Sequence, residues 1–179
     1  MSEFESLLAS EFLPYGVLSI LQLEQLQAHY DLMIRWNRRM NLSRITELGE
    51  AVRLHYCESL FAALRLPVVG VQTVADIGSG AGFPGVPMAI YKPGLSFTLV
   101  ESDQRKAVFL REATRELANV RVLAQRAEKI EERVDLLVSR AVRPEEVLAL
   151  GISERFMILG AEGEPLPWGE RRGIVRIGF

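Results

Sequence analysis

The sequence predicts an α/β fold in which an N-terminal helical cap packs on a doubly wound, mostly parallel sheet. Helical spacing of apolar residues over residues 1–68 indicates the cap. From residue 69 to 179, short β-branched runs alternate with helical segments, and such alternation forms parallel sheets with right-handed crossovers. The 179 residues, 49% of them hydrophobic, are enough to build one core, so we expect the cap to pack on the sheet.

The cap is predicted to contain three helices. Apolar residues recur at helical spacing from Ser2 to Leu13 and from Leu18 to Met40. Thr46 is predicted to cap a third helix, which runs to Leu66 and is stopped by Pro67. The stripe that we expect to face the core in the second helix consists of Leu23, Leu26, Tyr30 and Met33.

The sheet is predicted to begin with a strand that leads into a glycine-rich turn. An apolar run from Val71 ends at Asp76, and Pro84 suits the first turn of a helix. The glycines of the turn are Gly78, Gly80 and Gly82. The following pattern predicts helices at 84–91, 103–117, near 127 and at 145–150, and strands at 97–101, 120–124, 134–138, 155–159 and 173–179.

The carboxyl ends of the strands are expected to form the binding site, because ligands of doubly wound sheets bind there. Glu101 ends the second strand, 19 residues after Gly82. Such folds place at this position the carboxylate that binds a ribose hydroxyl. The sequence therefore predicts a cofactor that contains adenosine.

Two cofactor classes fit the turn. Gly80 to Gly85 match the G-x-G-x-x-G pattern of dinucleotide sites, but the carboxylate of Asp76 would repel a pyrophosphate. S-adenosylmethionine instead brings a sulfonium and an ammonium, which a carboxylate attracts. The sequence thus favours S-adenosylmethionine bound by Asp76, Glu101 and the three glycines of the turn, and keeps open that Asp76 only caps the next helix.

Two more strand ends carry polar residues. Glu128 follows the third strand and is expected to accept a hydrogen bond from the adenine amine; the alternative is a surface glutamate that caps a helix. Arg140 follows the fourth strand and suits a phosphate or a guanine edge. An ion pair of Arg140 with Glu128 or Glu101 is the alternative.

Arginine is the dominant basic residue in a chain of net charge −2. Of 21 basic residues, three are lysines. Arg35, Arg38, Arg39 and Arg44 flank Trp36 and Asn37, and we expect these arginines and Asn37 to bind RNA phosphates. The alternative is a solvated helix face with Trp36 in the core.

Cysteine content and hydropathy predict the compartment. Cys57 is the single cysteine, which excludes an internal disulfide and a cysteine-based zinc site and fits a reducing compartment. The sequence shows no signal-like start and no apolar run long enough for a membrane span. We expect a cytoplasmic protein without a metal and without a membrane partner.

Several motifs in order resemble one family. They are Trp36-Asn37 with Asn41-Leu42-Ser43, His55 with Glu58-Ser59-Leu60, Asp76 to Gly85, Glu101-Ser102 with Arg105-Lys106 and Phe109-Leu110, Arg126-Ala127-Glu128, and Ser139-Arg140-Ala141. In these motifs the sequence resembles the RsmG (glucose-inhibited division protein B, GidB) family of 16S rRNA 7-methylguanosine methyltransferases.

The resemblance implies a Rossmann-like, S-adenosylmethionine-dependent methyltransferase fold and methyl transfer to N7 of a guanine in 16S rRNA of the small ribosomal subunit. It also implies cofactor contacts at Gly78, Phe83, Ala127, Glu128 and Arg140. Guanine N7 has a free lone pair and no proton to lose, so we expect no catalytic base. Accordingly, His55 is expected to be a packed core residue.

The sequence departs from the family in two places. Position 58 holds Glu where the family usually has Asp, and the region after the fifth strand is shortened. The shortening predicts a core truncated at its C-terminal edge and a last strand with an uncovered edge, which favours a monomer or a weak dimer. Arg171, Arg172 and Arg176 are expected to blunt that edge. A different methyl acceptor and a non-catalytic, ribosome-associated form remain alternative functions.

Overall fold

A computed structural model describes residues 1–67, 69–140, 142–160, 162–169 and 172–179. Its cap contains helices α1 (Glu3–Phe12) and α2 (Ile20–Asn37). Both begin with a capping box, in which a serine hydroxyl and a side chain three residues later satisfy each other's backbone N–H groups. Leu23, Leu26 and Met33 are buried as predicted, and Tyr30 is partly buried.

The third helical segment of the cap changes its geometry along its length. It comprises α3 (Leu48–Ala51), a π-helical stretch (Val52–Cys57) and α4 (Glu58–Leu64). Glu47 caps α3, since its carboxylate accepts the N–H groups of Gly49 and Glu50, so the predicted cap at Thr46 is wrong by one residue. The helix also ends before Leu66, because a residue that precedes proline disfavours helical backbone.

Seven strands form one sheet. They are β1 (Thr73–Ile77), β2 (Ser96–Val100), β3 (Val120–Leu123), β4 (Leu136–Arg140), β5 (Phe156–Gly160), β6 (Glu164–Pro165) and β7 (Gly173–Ile177). Their order is β3-β2-β1-β4-β5-β7-β6, with β1 to β5 parallel. The chain leaves β1 toward β2 on one side and later reaches β4 on the other. This switch point is where doubly wound folds bind ligands.

The remaining helices follow the predicted order. They are α5 (Gly85–Tyr91), α6 (Gln104–Ala113), a 3₁₀ turn (Ala127–Lys129) and α7 (Pro144–Leu148). The end of α6 lies before the predicted residue 117, and the Thr114 hydroxyl there donates to the carbonyl of Leu110. β4 begins two residues later than predicted, because the Asp135 carboxylate accepts the N–H groups of Gln72 and Thr73 beside β1.

Alternate residues of the strands build two apolar layers. Val74 of β1 and Val138 of β4 belong to the layer that includes α4 and α5. Ala75 of β1 and Leu137 of β4 lie in the opposite layer with Val147 of α7. The cap helices pack on the α5 side through Leu26, Tyr56 and their neighbours. The cap therefore extends the main core, as the sequence predicted.

The C-terminal edge differs from the predicted one. β7 pairs antiparallel with β5, and β6 pairs with Ile174 and Gly173 on the outer side of β7. The prediction of a wholly uncovered edge is therefore wrong: among the described residues, β6 covers the first two positions of β7. Arg171 and Ala141, which entered the sequence predictions, lie outside the described residues. Dimer formation through the rest of the edge stays a prediction.

Candidate cofactor cleft and arginine groove

A cleft opens at the carboxyl ends of β1 and β2, beside the switch point. Its volume is about 260 Å³. It is lined by Ile77, Gly78, Val100, Ser102, Gln125, Arg126, Ala127 and Glu128. Three residues that the family resemblance implied as cofactor contacts thus meet here, although Gly78 and Glu128 are 50 positions apart in sequence.

The glycine-rich turn forms the β1 wall of this cleft. The N–H groups of Gly78 and Ser79 donate to the carbonyl of Val100, at 2.9 and 3.1 Å, which joins the turn to the end of β2. Gly78 is exposed and has φ of +70°, a conformation that favours glycine. A Cβ at Gly82 would lie 2.7 Å from Val86 and 3.0 Å from His29, so Gly82 is a packing position beneath the cap.

Glu101 links the turn to the second strand end. Its Oε2 accepts the N–H of Gly80 at 2.9 Å and its Oε1 accepts the N–H of Asp103 at 2.8 Å. A carboxylate oxygen can accept more than one hydrogen bond, so these contacts leave capacity for a ligand hydroxyl. The structure therefore brings Glu101 and Gly80 together, as adjacent strand ends predict.

Asp76 lies below the turn and has no exposed surface. Its Oδ2 accepts the N–H of Gly85, the first residue of α5, at 3.0 Å. Burial raises the pKa of Asp76 to about 7, and its Oδ1 has no hydrogen-bond partner among the described residues. Asp76 thus has the helix-capping place that was the alternative to cofactor binding, while its direct contact with a cofactor stays a prediction.

Phe83 fastens the turn to the cap. Its ring is buried and stacks on the imidazole of His55, with 4.4 Å between centroids and 17° between planes. The edges of His29 and Tyr56 meet the same ring. The Phe83 side chain therefore serves packing, and its backbone is the part adjacent to the turn.

His29 is a residue of this region that the sequence reasoning missed. Its Nε2 donates to the carbonyl of Ala81 at 3.0 Å, because a carbonyl only accepts, and its Nδ1 therefore accepts the Tyr56 hydroxyl at 2.7 Å. Burial lowers the pKa of His29 to about 4, so the imidazole is neutral. The signal was one polar residue on the buried stripe between Leu26 and Met33.

Arg140 ends β4 and points toward the cap. Its Nη1 donates to Nδ1 of His55 at 2.9 Å, and its Nη2 lies 3.5 Å from Oε2 of Glu58. The predicted alternative, an ion pair with Glu128 or Glu101, is therefore wrong among the described residues. Desolvation lowers the pKa of Arg140 to about 10. The charge of Glu58 raises this pKa, and the charge of Arg172 lowers it.

His55 is a packed core residue, as predicted. Since Arg140 only donates, Nδ1 of His55 accepts, and Nε2 donates to the Ser43 hydroxyl at 2.7 Å. Desolvation and the positive charges of Arg140 and Arg172 lower the pKa of His55 to about 3. Both nitrogens are engaged, so neutral His55 orients Arg140 and leaves no free lone pair for proton transfer.

The arginines at the end of α2 line a second depression, of about 300 Å³. We call it the arginine groove; its residues are Arg35, Trp36, Arg38, Arg39, Met40 and Arg105. Trp36 is partly buried, and its indole N–H donates to Glu112 at 3.0 Å. The structure thus gathers three of the four predicted arginines and adds Arg105 from α6, which sequence spacing did not reveal. The fourth, Arg44, does not line the groove.

Asn37 does not line the arginine groove, and its hydrogen bonds go to the turn after α2. Its Oδ1 accepts the N–H groups of Leu42 and Ser43 at 2.8 and 3.0 Å, and its Nδ2 donates to the Ser43 carbonyl. These bonds shape the turn after α2 and place Ser43 against His55. The predicted contact of Asn37 with RNA stays a prediction, and its observed role is structural.

The described ranges of the chain contain neither a candidate membrane span nor a candidate metal site. No described helix combines the length and apolar character of a membrane-spanning segment. In the same ranges, no group of three or more His, Cys, Asp or Glu side chains is placed to hold a metal ion.

The chain is similar to a family of rRNA-modifying enzymes. The family model GidB, rRNA small subunit methyltransferase G, matches residues 22–157. Ribosomal RNA small subunit methyltransferase G of Dichelobacter nodosus is 48% identical over 124 residues, covering 67% of this chain and 58% of that protein. The protein of the same name from Bacillus subtilis is 35% identical over 157 residues, covering 83% and 64%. The chain thus spans less than two thirds of these relatives' length.

Solved structures confirm the fold class. A SAM-dependent methyltransferase from Aquifex aeolicus matches with a TM-score of 0.52 and 19% identity, covering 73% of this chain and 78% of that one. At this identity the likeness concerns the fold alone. The predicted Rossmann-like methyltransferase architecture is therefore confirmed.

Proposed function

Because the chain belongs to the GidB family, rRNA small subunit methyltransferase G, we propose that it methylates N7 of a guanine in 16S rRNA with S-adenosylmethionine as donor. The observation that supports this proposal best is the cleft at the carboxyl ends of β1 and β2, where Gly78, Ala127 and Glu128 meet. The rRNA substrate, as part of the small ribosomal subunit, also implies a cytoplasmic location.

The residues of the cleft fit S-adenosylmethionine. Gly78 gives the cleft a wall without a side chain, and Glu101 and Glu128 supply acceptors for the ribose hydroxyls and the adenine amine. Ala127 and the backbone of Phe83 complete the proposed contacts, with Gly80 and Gly82 shaping the turn. Arg140 supplies a guanidinium at the end of β4. When bound, S-adenosylmethionine supplies an electrophilic methyl group.

The protein's part in the reaction is positioning. Guanine N7 attacks with its own lone pair, so no residue has to remove a proton. His29 and His55, the two histidines of the chain, are neutral and have both ring nitrogens engaged. Holding two reactants at about 3 to 3.5 Å lowers a barrier by up to roughly 7 to 11 kcal/mol. This arrangement supports catalysis without a general base.

The arginine groove is the proposed RNA-binding surface. Arg35, Arg38 and Arg39 are exposed around the partly buried Trp36, and Arg105 extends the basic lining from α6. α6 begins directly after the strand end that carries Glu101, so the groove lies on the carboxyl side of the sheet. Guanidinium groups bind phosphates through paired N–H donors. We assign the groove to phosphates of 16S rRNA.

Calorimetric titration with S-adenosylmethionine, S-adenosylhomocysteine and NADH tests the proposal. Glu128→Ala removes the proposed adenine acceptor and should weaken S-adenosylmethionine binding about tenfold. Glu131→Ala, the same charge change at a nearby exposed position outside the cleft, is the matched control and should bind normally.

Methyl transfer to N7 of guanine in small ribosomal subunits is the second readout. Methionine-cofactor binding followed by N7 methylation supports the proposal. Binding of NADH alone, or cofactor binding without methylation of rRNA, contradicts it; the latter result would favour a different acceptor or a non-catalytic form.

A further inference from the structure

The segment before β7 reaches across the molecule to the cap. Arg172 lies 114 positions after Glu58, yet it binds both carboxylate oxygens of Glu58, Nε to Oε1 at 2.6 Å and Nη2 to Oε2 at 2.7 Å. Glu58 begins α4 and its side chain is fully buried. Paired contacts of this kind between arginine and a carboxylate are among the strong hydrogen bonds of proteins. Arg172 thus engages both oxygens of Glu58.

Arg140 lies beside the same carboxylate but is held by another group. Its Nη2 is 3.5 Å from Oε2 of Glu58, beyond the usual length of a hydrogen bond, whereas its Nη1 donates to His55 at 2.9 Å. His55 is in turn fixed by Ser43 and by stacking on Phe83 of the glycine-rich turn. Arg140 therefore stays at the carboxyl end of β4 with part of its side chain exposed.

Removal of Arg172 would change which group holds Arg140. A buried carboxylate that loses its partner carries a large desolvation cost, so it recruits the nearest remaining cation. Arg140 is that cation, at 3.5 Å. A shift of the guanidinium onto both oxygens of Glu58 would break its bond with His55. The Arg140 guanidinium would then lie further into the cap and away from the carboxyl end of β4.

We propose that Arg172 is a positioning residue for cofactor binding, which acts by occupying Glu58 and so keeping Arg140 available at the carboxyl end of β4. The inference rests on the proposed function, in which Arg140 contacts S-adenosylmethionine. It assigns to the C-terminal segment a part in the site, although the cleft itself is built at the ends of β1, β2 and β3.

The first comparison uses two arginines that join α4 to the C-terminal segment. Arg172→Ala should raise the dissociation constant of S-adenosylmethionine about tenfold or more. Arg65→Ala breaks another contact of two guanidinium nitrogens, from Nε and Nη2 of Arg65, directly after α4, to Oε1 of Glu164 in β6, at 3.0 and 2.9 Å. This control does not touch Arg140, so it should bind within about twofold of the wild type. Equal weakening in both variants would mean general loosening and would overturn the proposal.

The second comparison separates positioning from packing. Glu58→Gln, added to Arg172→Ala, removes the charge that captures Arg140, so the double variant should bind the cofactor more tightly than Arg172→Ala alone. A purely structural role for Arg172 predicts the reverse, because the second substitution removes a further contact. Absence of recovery in the double variant therefore overturns the proposal.

Two further results are decisive. If Arg172→Ala does not fold, Arg172→Lys keeps the charge but loses the paired geometry, and it should weaken binding moderately, with recovery on adding Glu58→Gln. Unchanged affinity of the lysine variant contradicts the inference.

If the wild-type chain itself binds no S-adenosylmethionine, the proposed function fails, and the inference fails with it. If the wild-type chain binds and the Arg172→Ala variant binds equally well, the inference alone is refuted.

Discussion

At the scale of single residues, burial decides what a titratable side chain does. Asp76 and Glu101 both lie near strand ends and are both buried, but Asp76 has no exposed surface and binds the start of α5, whereas Glu101 is 8% exposed and joins two turns. Desolvation raises the pKa of Asp76, while His29 and His55 are held neutral by the same cause. At neutral pH the two histidines therefore carry no charge, whereas Asp76 is close to its pKa.

Asp76→Asn tests the buried carboxyl. The pKa of Asp76 is about 7 in the folded chain and near its ordinary value of 3.8 when unfolded, so the folded state binds the proton more tightly. The Asp76 contribution to stability is therefore full below pH 4 and is lost as the pH rises to 7. Asparagine does not ionise and can still accept the Gly85 N–H.

The difference in free energy of unfolding, Asp76→Asn minus wild type, should therefore increase by at least about 1 kcal/mol between pH 4 and pH 8. Urea unfolding at several pH values measures this difference. A difference that stays constant over this range would contradict the raised pKa. Asp135→Asn, at an exposed carboxyl whose pKa is lowered by backbone N–H donors, should instead differ from the wild type by a nearly constant amount between pH 5 and pH 8, because Asp135 is ionised there in both the folded and the unfolded state.

At the scale of elements, the helices of the cap hold the turn that the strands present. α2 contributes His29, which donates to Ala81, and the π-helical stretch contributes His55 and Tyr56 around Phe83. π-helical turns inside α-helices are frequent at functional sites, and here the altered period places consecutive residues on the glycine-rich turn. The end of α2 then presents the arginine groove.

Arg38→Glu tests that groove. Reversing an exposed charge should weaken RNA binding over many sequences and reduce the dependence of affinity on salt concentration, because fewer counterions are released. Filter binding to 16S rRNA fragments at several salt concentrations measures both effects. Arg133→Glu, the same change at an exposed arginine before β4, should leave both unaltered. Equal effects of the two substitutions would remove the groove from the proposed interface.

At the scale of the whole molecule, the C-terminal segment closes the sheet and returns to the cap. Trp168 donates from its indole nitrogen to Glu11 of α1 at 3.2 Å, and Arg172 binds Glu58. β6 covers part of the outer side of β7, but its two residues pair only with Gly173 and Ile174. Val175, Arg176 and Ile177 thus form the part of β7 beyond the pairing with β6.

Ile177→Lys tests self-association through this edge. Unpaired edge strands favour pairing with another chain, and a lysine there opposes it. Light scattering at increasing concentration should show weak association of the wild-type chain, which the substitution reduces. A wild-type chain that stays monomeric at high concentration would contradict the prediction. The ion pair of Arg176 with Glu164 already places charge at this edge.

The local pattern of the sequence determined the order and type of the elements from α1 to β5. These patterns act through neighbouring residues, so their effect does not depend on the tertiary structure. They are the β-branched runs, the helix caps Ser2 and Ser19, and the glycines of the turn. The same holds for the placement of Glu101 and Glu128 at strand ends. Boundaries shifted where side chains such as Glu47 and Asp135 took over backbone N–H groups.

Tertiary structure alone decided which polar groups meet. Arg140 donates to His55 and lies beside Glu58, and His29 donates to the carbonyl of Ala81. Arg105 joins the arginines at the end of α2. In each case the groups that meet are many positions apart in the chain. Such contacts depend on crossovers and on which face of a strand points to the cap, and a one-residue change of register reverses that face. Sequence spacing cannot specify them, because burial and charge act through space.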